Sequence, residues 1–252
     1  YFPDTGYSQL GSGSSAIMGY TVLGKNLATF KDSRDPSDTV YIRQGTLTNY
    51  NPTFAYVNIM QGAGAISKYC FAYMENEPVF LTDLGVYAIT AQDVTGERYT
   101  QNRSYYLDGK LLKEKDLENA HACVYKDFYL IGINGHVYIL EGMQPLRSDK
   151  SKPYSTRQYA GFYWENVPAT VFFEMNGNLF FGTEDGYICK FYSDTTALKS
   201  YMDFAVEDGV ETQKAIPAVW ETADLSEGLF YKNKKYRYLA IKSLPELASS
   251  VE

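Results

Sequence analysis

One short unit is written repeatedly along this chain. LTDLGVYAIT (81–90), IGINGHVYIL (131–140) and FGTEDGYICKF (181–191) each join an apolar run, a short polar turn with Gly, and an aromatic-rich run. The turn glycines Gly85, Gly135 and Gly186 recur at steps of 50 and 51 residues; the pairs Val40-Tyr41, Val86-Tyr87 and Val137-Tyr138 recur at 46 and 51. Gly, Asn and Asp suit such turns because the backbone there takes positive φ, which a Cβ opposes. A hairpin repeated at a nearly fixed step confines the chain to folds assembled from copies of one supersecondary unit.

Widening the window gives three strands per unit. AIMGYTVL, LATF and TVYIRQG are followed by CFAY, PVFLT and VYAIT, then ACVY, FYLIGI and HVYIL, then TVFFE, NLFFGT and YICKF. TGERYTQNRSYYLDG (95–109) has the place of an outer strand and a link to the next unit. This spacing predicts an all-β fold: a β-propeller with about five blades of ~50 residues. A β-sandwich also uses many short strands, and a partial propeller cut from a longer chain is the third arrangement. Residues 1–214 form the blades on this reading, and 215–252 supply ring-closing strands or begin a following β-domain. Gly85, Gly135 and Gly186 are turn residues, with Tyr87, Tyr138 and Tyr187 as blade-packing residues. DGKLLKEKDLENAH (108–121) interrupts the strands and predicts a short helix around Leu111, Leu112 and Leu117, with His121 at its end.

Composition agrees with strands. The chain has 24 Tyr and 14 Phe in 252 residues, and aromatics fit a pleated, half-buried surface. Its hydrophobic fraction of 45% provides for a real core. A net charge of −7 repels phosphate backbones, so general nucleic-acid binding is excluded. Cys70, Cys123 and Cys189 are an odd set without a CxxC pair and read as small buried hydrophobes in strands. No window reaches the ~18 apolar residues of a membrane span, and no signal-peptide pattern opens the chain. The opening YFPDTG, without Met, suggests a processed product or a piece of a longer protein.

No residue set announces a reaction, and no cofactor or metal is expected. His121 and His136 lack the further ligands a zinc site needs. Asp32, Asp35 and Asp38 sit three apart but do not follow a calcium-loop pattern, and with Glu184 and Asp185 they read as solvated turn carboxylates. QGAGAIS (61–67) lacks the Lys and helix of a phosphate loop and reads as a turn ahead of a strand. Trp164 and Trp220 offer stacking platforms for a sugar. KNKKYRY (232–238) alternates Lys232, Lys234, Tyr236 and Tyr238 with Asn233, Lys235 and Arg237, as on a charged edge strand.

EPVFLTDLGVYAIT, the run ERYTQNRSYYLDGKLLKEKDLENAHACVYKDFYLIGINGHVYILEG with its link Leu117 to Ala120, and the terminal IPAVWETADLSEGLFYKNKKYRYLAI resemble β-propeller-type structural proteins from virion gene clusters of tailed bacteriophages and prophages of Gram-positive gut bacteria. The resemblance spans most of 16–242. It implies a non-catalytic virion component, in the tail, head–tail connector or fibre, assembled in the bacterial cytoplasm. Partners would be other virion proteins or further copies of the chain, with no membrane insertion. The competing class is a glycan-binding or glycan-hydrolysing propeller, which would gather acids and arginines at its channel mouth.

Overall fold

The structure is a computed structural model and describes residues 7–35, 39–48, 51–74, 77–91, 98–142, 158–191, 202–207, 210–219, 231–233, 235, 238 and 240. The chain divides into two compact units, Tyr1–Lys190 and Phe191–Glu252. The boundary expected at 214/215 falls within the second unit. No helix among the described residues is long and apolar enough to cross a membrane.

The fold is all-β. Sheet I holds β1 (Ile17–Leu23), β2 (Asn26–Lys31), β3 (Thr39–Thr48) and β4 (Asn51–Gln61). Sheet II holds β5 (Ala72–Met74), β6 (Glu77–Thr82), β7 (Gly85–Ala91) and β8 (Arg98–Asn102). Sheet III holds β9 (His121–Tyr125), β10 (Phe128–Ile133), β11 (His136–Glu141) and β12 (Ala160–Trp164). Sheet IV holds β13 (Val171–Met175), β14 (Asn178–Gly182) and β15 (Ile188–Lys190). In the second unit, β16 (Met202–Glu207) and β17 (Val210–Ala215) form a two-stranded sheet V. Within every sheet the strands are antiparallel and follow chain order, and none closes into a barrel. The outer strand expected within 95–109 is β8.

The alternation of side chains across each strand tells which face meets which neighbour. Ala28, Phe30, Val40 and Ile42 of sheet I pack with Phe80 and Ile89 of sheet II. Val79, Leu81, Val86 and Ala88 point to the other side and join Tyr129, Ile131, Tyr138 and Leu140 of sheet III. Sheet II is thus covered on both faces, and all six residues of β6 are buried. That is why PVFL within it reads as a continuous apolar run instead of an alternating one. Sheet III meets sheet IV where His121 packs on Phe172, with ring centroids 5.1 Å apart. Each buried apolar side chain so placed contributes about 1.5–3 kcal/mol.

The first strands draw the sheets together. β9 touches both β5 and β13, and isolated parallel bridges join Asp32 to Ala65 and Tyr69 to His121. The segment QGAGAIS lies along Lys31–Ser33, not simply in a turn: Ala65 N donates to Lys31 O and Ser33 N to Ala65 O. A Cβ on Gly64 would sit 2.7 Å from Lys31 O and 2.9 Å from the Ser33 backbone, so this crossing requires glycine. The Tyr129 hydroxyl, fully buried, donates across the II–III interface to Cys70 O at 2.6 Å.

The connector after β8 contains one turn of α-helix, α1 (Asp108–Leu111), and a 3-10 turn at Leu117–Asn119. Leu111 and Leu117 are buried while Leu112 is exposed. His121 does not end this helical stretch: it is the first residue of β9. The 3-10 turn stops at Asn119 because Ala120 takes an extended backbone.

Candidate functional site

A cleft of about 460 Å³ opens where β9 and β13 converge. His121 and Ala122 come from β9, Thr170–Phe172 from the start of β13, and Tyr69 and Asn119 from the connectors. Ala122 N donates to Tyr69 O at 3.0 Å, which fixes the Tyr69 backbone beside the cleft. Tyr69 itself is 65% exposed. His121 is buried, and its Nε2 has no hydrogen-bond partner among the described residues. This nitrogen lies against Gly132, where a Cβ would come within 2.5 Å. Burial drives the His121 pKa down to about 4, so the ring is neutral at neutral pH. Its chemistry is that of a packed aromatic surface. Among the described residues, the cleft lining holds no carboxylate and no arginine.

A second polar cluster ties the connector to sheet III. Glu114 Oε1 accepts hydrogen bonds from His136 Nδ1 and from the Tyr138 hydroxyl, both 2.6 Å, and Oε2 accepts from Asn134 Nδ2 at 3.0 Å. Partial burial pushes the Glu114 carboxyl up, but the three donors outweigh it and hold the pKa below the usual range. Burial, then the adjacent Glu114, pushes the Tyr138 hydroxyl well up. Lys110 Nζ stands 3.9 Å from the centre of the Tyr163 ring, which packs 5.1 Å from Tyr138. With three donors on one carboxylate, the cluster anchors the connector to sheet III.

The third cluster is sealed. Arg103 Nε and Nη2 each donate to Glu77 at 2.8 Å, and the Tyr159 hydroxyl donates to Glu77 Oε1. All three residues are buried. The pair is fully hydrogen-bonded and joins the start of β6 to the end of β8 and to the lead-in of β12.

The residues singled out in the sequence take these places. Gly85, Gly135 and Gly186 all have positive φ, at 121°, 79° and 85°. Gly85 has a further constraint: a Cβ would lie 2.6 Å from Asp108 Oδ1, under the Ser104–Asp108 hydrogen bond. Tyr138 is buried between sheets II and III, Tyr87 is partly buried against sheet I, and Tyr187 is 69% exposed. Of the cysteines, Cys70 is buried, but Cys123 on β9 and Cys189 on β15 are only partly covered. Asp32 accepts from the Arg34 guanidinium at 2.8 and 3.0 Å, a bond that lowers its pKa despite partial burial. Asp38 lies outside the described residues, as do Trp220, Lys234, Tyr236 and Arg237. Trp164 is on β12. Glu184 and Asp185 are exposed in the β14–β15 turn. Of KNKKYRY, Lys232 lies in a bend and Asn233, Lys235 and Tyr238 lie in no strand, while its other residues lie outside the described ones. Among the described residues, no three His, Cys, Asp or Glu gather as a metal site requires.

Two features escaped the sequence reading. The Glu77–Arg103 and Glu114–His136 contacts join residues 26 and 22 positions apart. The hairpin β16–β17 was signalled by the Asp-Gly pair that separates MDFAVE from VETQKA in the sequence.

No family model matches the chain, and no curated protein matches it. A solved structure similar to it is that of PorZ, described as an essential bacterial surface component of the type-IX secretion system of human oral-microbiomic Porphyromonas gingivalis. The identity is 12% and the TM-score 0.38, and the match covers 82% of this chain. The chain spans 22% of the PorZ chain's length.

Proposed function

We propose that this chain is a non-catalytic assembly module of a tailed-phage or prophage virion, in which a rigid, β-propeller-type set of sheets presents surfaces to protein partners. The observation that carries the reading is the outer face of sheet I, where Tyr20, Phe54, Tyr56 and Ile59 stand exposed on an otherwise well-packed scaffold. Exposed apolar faces of this kind mark protein contacts. The propeller component is supported by meander sheets in chain order that adjoin through their first strands and bury their faces on one another. About five blades of ~50 residues is the count we propose. The virion component rests on the resemblance of residues 16–242 to phage structural proteins.

Density-banded phage particles from the source strain, analysed by peptide mass spectrometry and immunogold labelling, test this reading. The chain should band with the particles at fixed stoichiometry. Its absence from them would overturn the virion role. The glycan-directed alternative has the exposed Tyr69 in its favour, beside Asn119 and Thr170 at the cleft. Binding on a glycan array that is lost in Tyr69→Ala would favour it.

A further inference from the structure

The lead-in to sheet I, residues 8–15, is tied down by side chains and not by a strand ladder. Among the described residues, its backbone meets the sheet's backbone only just past its end, where Asp32 N donates to Ala16 O at 3.2 Å. The other ties are made by two cations. Lys31 Nζ donates to Ser15 O at 2.5 Å and to Ser12 O at 3.2 Å, and Arg43 Nη1 donates to Ser8 Oγ at 2.8 Å. Alternation along β2 sends Ala28 and Phe30 to sheet II, so Thr29 and Lys31 project from the opposite face, where Lys31 reaches the lead-in. There Lys31 is only 3% exposed. Its neighbour Asp32 is engaged by Arg34, and among the described residues no carboxylate pairs with Lys31.

What holds this segment is thin beside what holds the sheets. Leu10 is the one apolar side chain in SQLGSGSS, and it is buried. The remaining bonds are internal to the segment: Gln9 Nε2 donates to Gly11 O, Ser14 N donates to Ser12 Oγ, and the Ser12 and Ser14 hydroxyls are hydrogen-bonded at 2.6 Å. These bonds persist if the segment lifts as one piece. Ser15 Oγ and Thr29 Oγ1 work against closure, since both are buried without a partner among the described residues and water would satisfy them once the segment lifts. Gly11 sets the fit. Its φ is 58°, and a Cβ there would overlap the Tyr41 hydroxyl, so a side chain at this position would keep the segment from lying down on β3. A segment with one apolar anchor and few shared bonds opens at a lower free energy than the sheet it covers.

We infer that residues 8–15 form a latch on sheet I, bolted by Lys31, which opens as a piece about Ala16 while the sheets stay folded and so gates the Lys31 amine as a modification site. Closed, the ammonium donates to the Ser12 and Ser15 carbonyls and is sealed from reagents. Open, amine and carbonyls are hydrated, and Lys31 meets acylating reagents as a surface lysine does. An activated acyl ester then transfers its acyl group: the amine nitrogen forms the new C–N bond, the ester's C–O bond breaks, the leaving group departs with the electron pair, and the amine's proton goes to solvent. The resulting amide has no charge and one N–H in place of three. It cannot rebuild both bonds to the lead-in, so acylation holds the latch open.

Pulse labelling of the full chain with the N-hydroxysuccinimide ester of acetic acid, read by peptide mass spectrometry, tests the latch. Lys25, exposed in the β1–β2 turn, is the internal standard. In the wild type Lys31 should be acetylated about tenfold or more slowly than Lys25, at a rate that stays flat in urea below the unfolding transition, because the opening is local. Alkylation of buried Cys70 in the same samples should wait for that transition. Gly11→Ala should bring Lys31 close to the Lys25 rate while Cys70 stays sealed and circular dichroism is unchanged. Leu10→Ser, which removes the apolar anchor, takes its place if that variant misfolds. Lys31→Met should be nicked by subtilisin within residues 8–15 about tenfold faster than the wild type, since cleavage follows the open population. Wild-type Lys31 labelled as fast as Lys25 overturns the inference, because the latch is then never closed. Labelling of Lys31 only in step with Cys70 also overturns it, as do a Lys31 rate that neither lead-in variant changes and equal nicking of Lys31→Met and wild type.

Discussion

Arg103 holds Glu77 through two parallel hydrogen bonds of 2.8 Å, with the arginine side chain fully withdrawn from water and the glutamate nearly so. A pair so placed gains little over an apolar substitute but is costly to break, because the surviving partner keeps a buried charge. Arg103→Met should lower stability by about 3–5 kcal/mol. The double variant Glu77→Gln/Arg103→Met should lose less than the sum of the single variants. Urea unfolding followed by fluorescence reads both; additive losses would mean that the pair is not coupled.

His121 sets a pH dependence. Its pKa falls from 6.5 to about 4 on folding because it is buried. The unfolded chain therefore binds the proton first as pH drops. The contribution to stability is complete above pH 6.5 and is lost as pH falls towards 4. At ~1.36 kcal/mol per pKa unit this amounts to about 3 kcal/mol. His121→Asn should flatten the stability profile between pH 4 and 6.5 relative to wild type. An unchanged difference between the two across that window would show that the ring is not sealed.

Two glycines should respond in opposite directions. Gly64→Ala drives a methyl into the Lys31 and Ser33 backbone and should cost about 1–3 kcal/mol. Gly109, in α1, faces open space, with nothing within 4 Å of where a Cβ would project, so Gly109→Ala should be neutral or stabilise by up to ~1 kcal/mol. Melting temperatures of the two variants settle the comparison. Equal shifts would remove the case for a tight crossing at Gly64.

The cysteines should react in order of cover. Burial raises the Cys70 thiol to about 12; burial and then Glu174 raise Cys123 to about 11. Only the thiolate is alkylated. With iodoacetamide at pH 8, Cys189 should be labelled first and Cys70 only on unfolding, as followed by peptide mass spectrometry. Early labelling of Cys70 would contradict its place in the II–III core.

The sequence displays what is local. Gly85, Gly135 and Gly186 stand between apolar runs, and a short turn requires their positive φ, so the hairpins were readable one by one. The four apolar residues of PVFL in a row fit a strand covered on both sides, with no polar alternation to leave one face in water. The clusters were not readable in the same way. Arg103 precedes SYYLDG and looks like any loop arginine, because nothing near it in sequence names Glu77 as its partner. Glu114 sits in a run of Lys and Glu that resembles a solvated helix, yet its carboxylate is claimed by donors from the β10–β11 turn and from β11 itself. The outer face of sheet I left only an indirect mark, the uncharged stretch from Gln44 to Ser67. Alternation within β4 became meaningful only after pairing with β3 showed which side sheet II occupies.

Sheet II exchanges its two faces with sheets I and III, and otherwise the order of burial follows the order of the chain. Sheet II is therefore the piece the scaffold can least do without: losing it would uncover two buried faces at once, one on sheet I and one on sheet III.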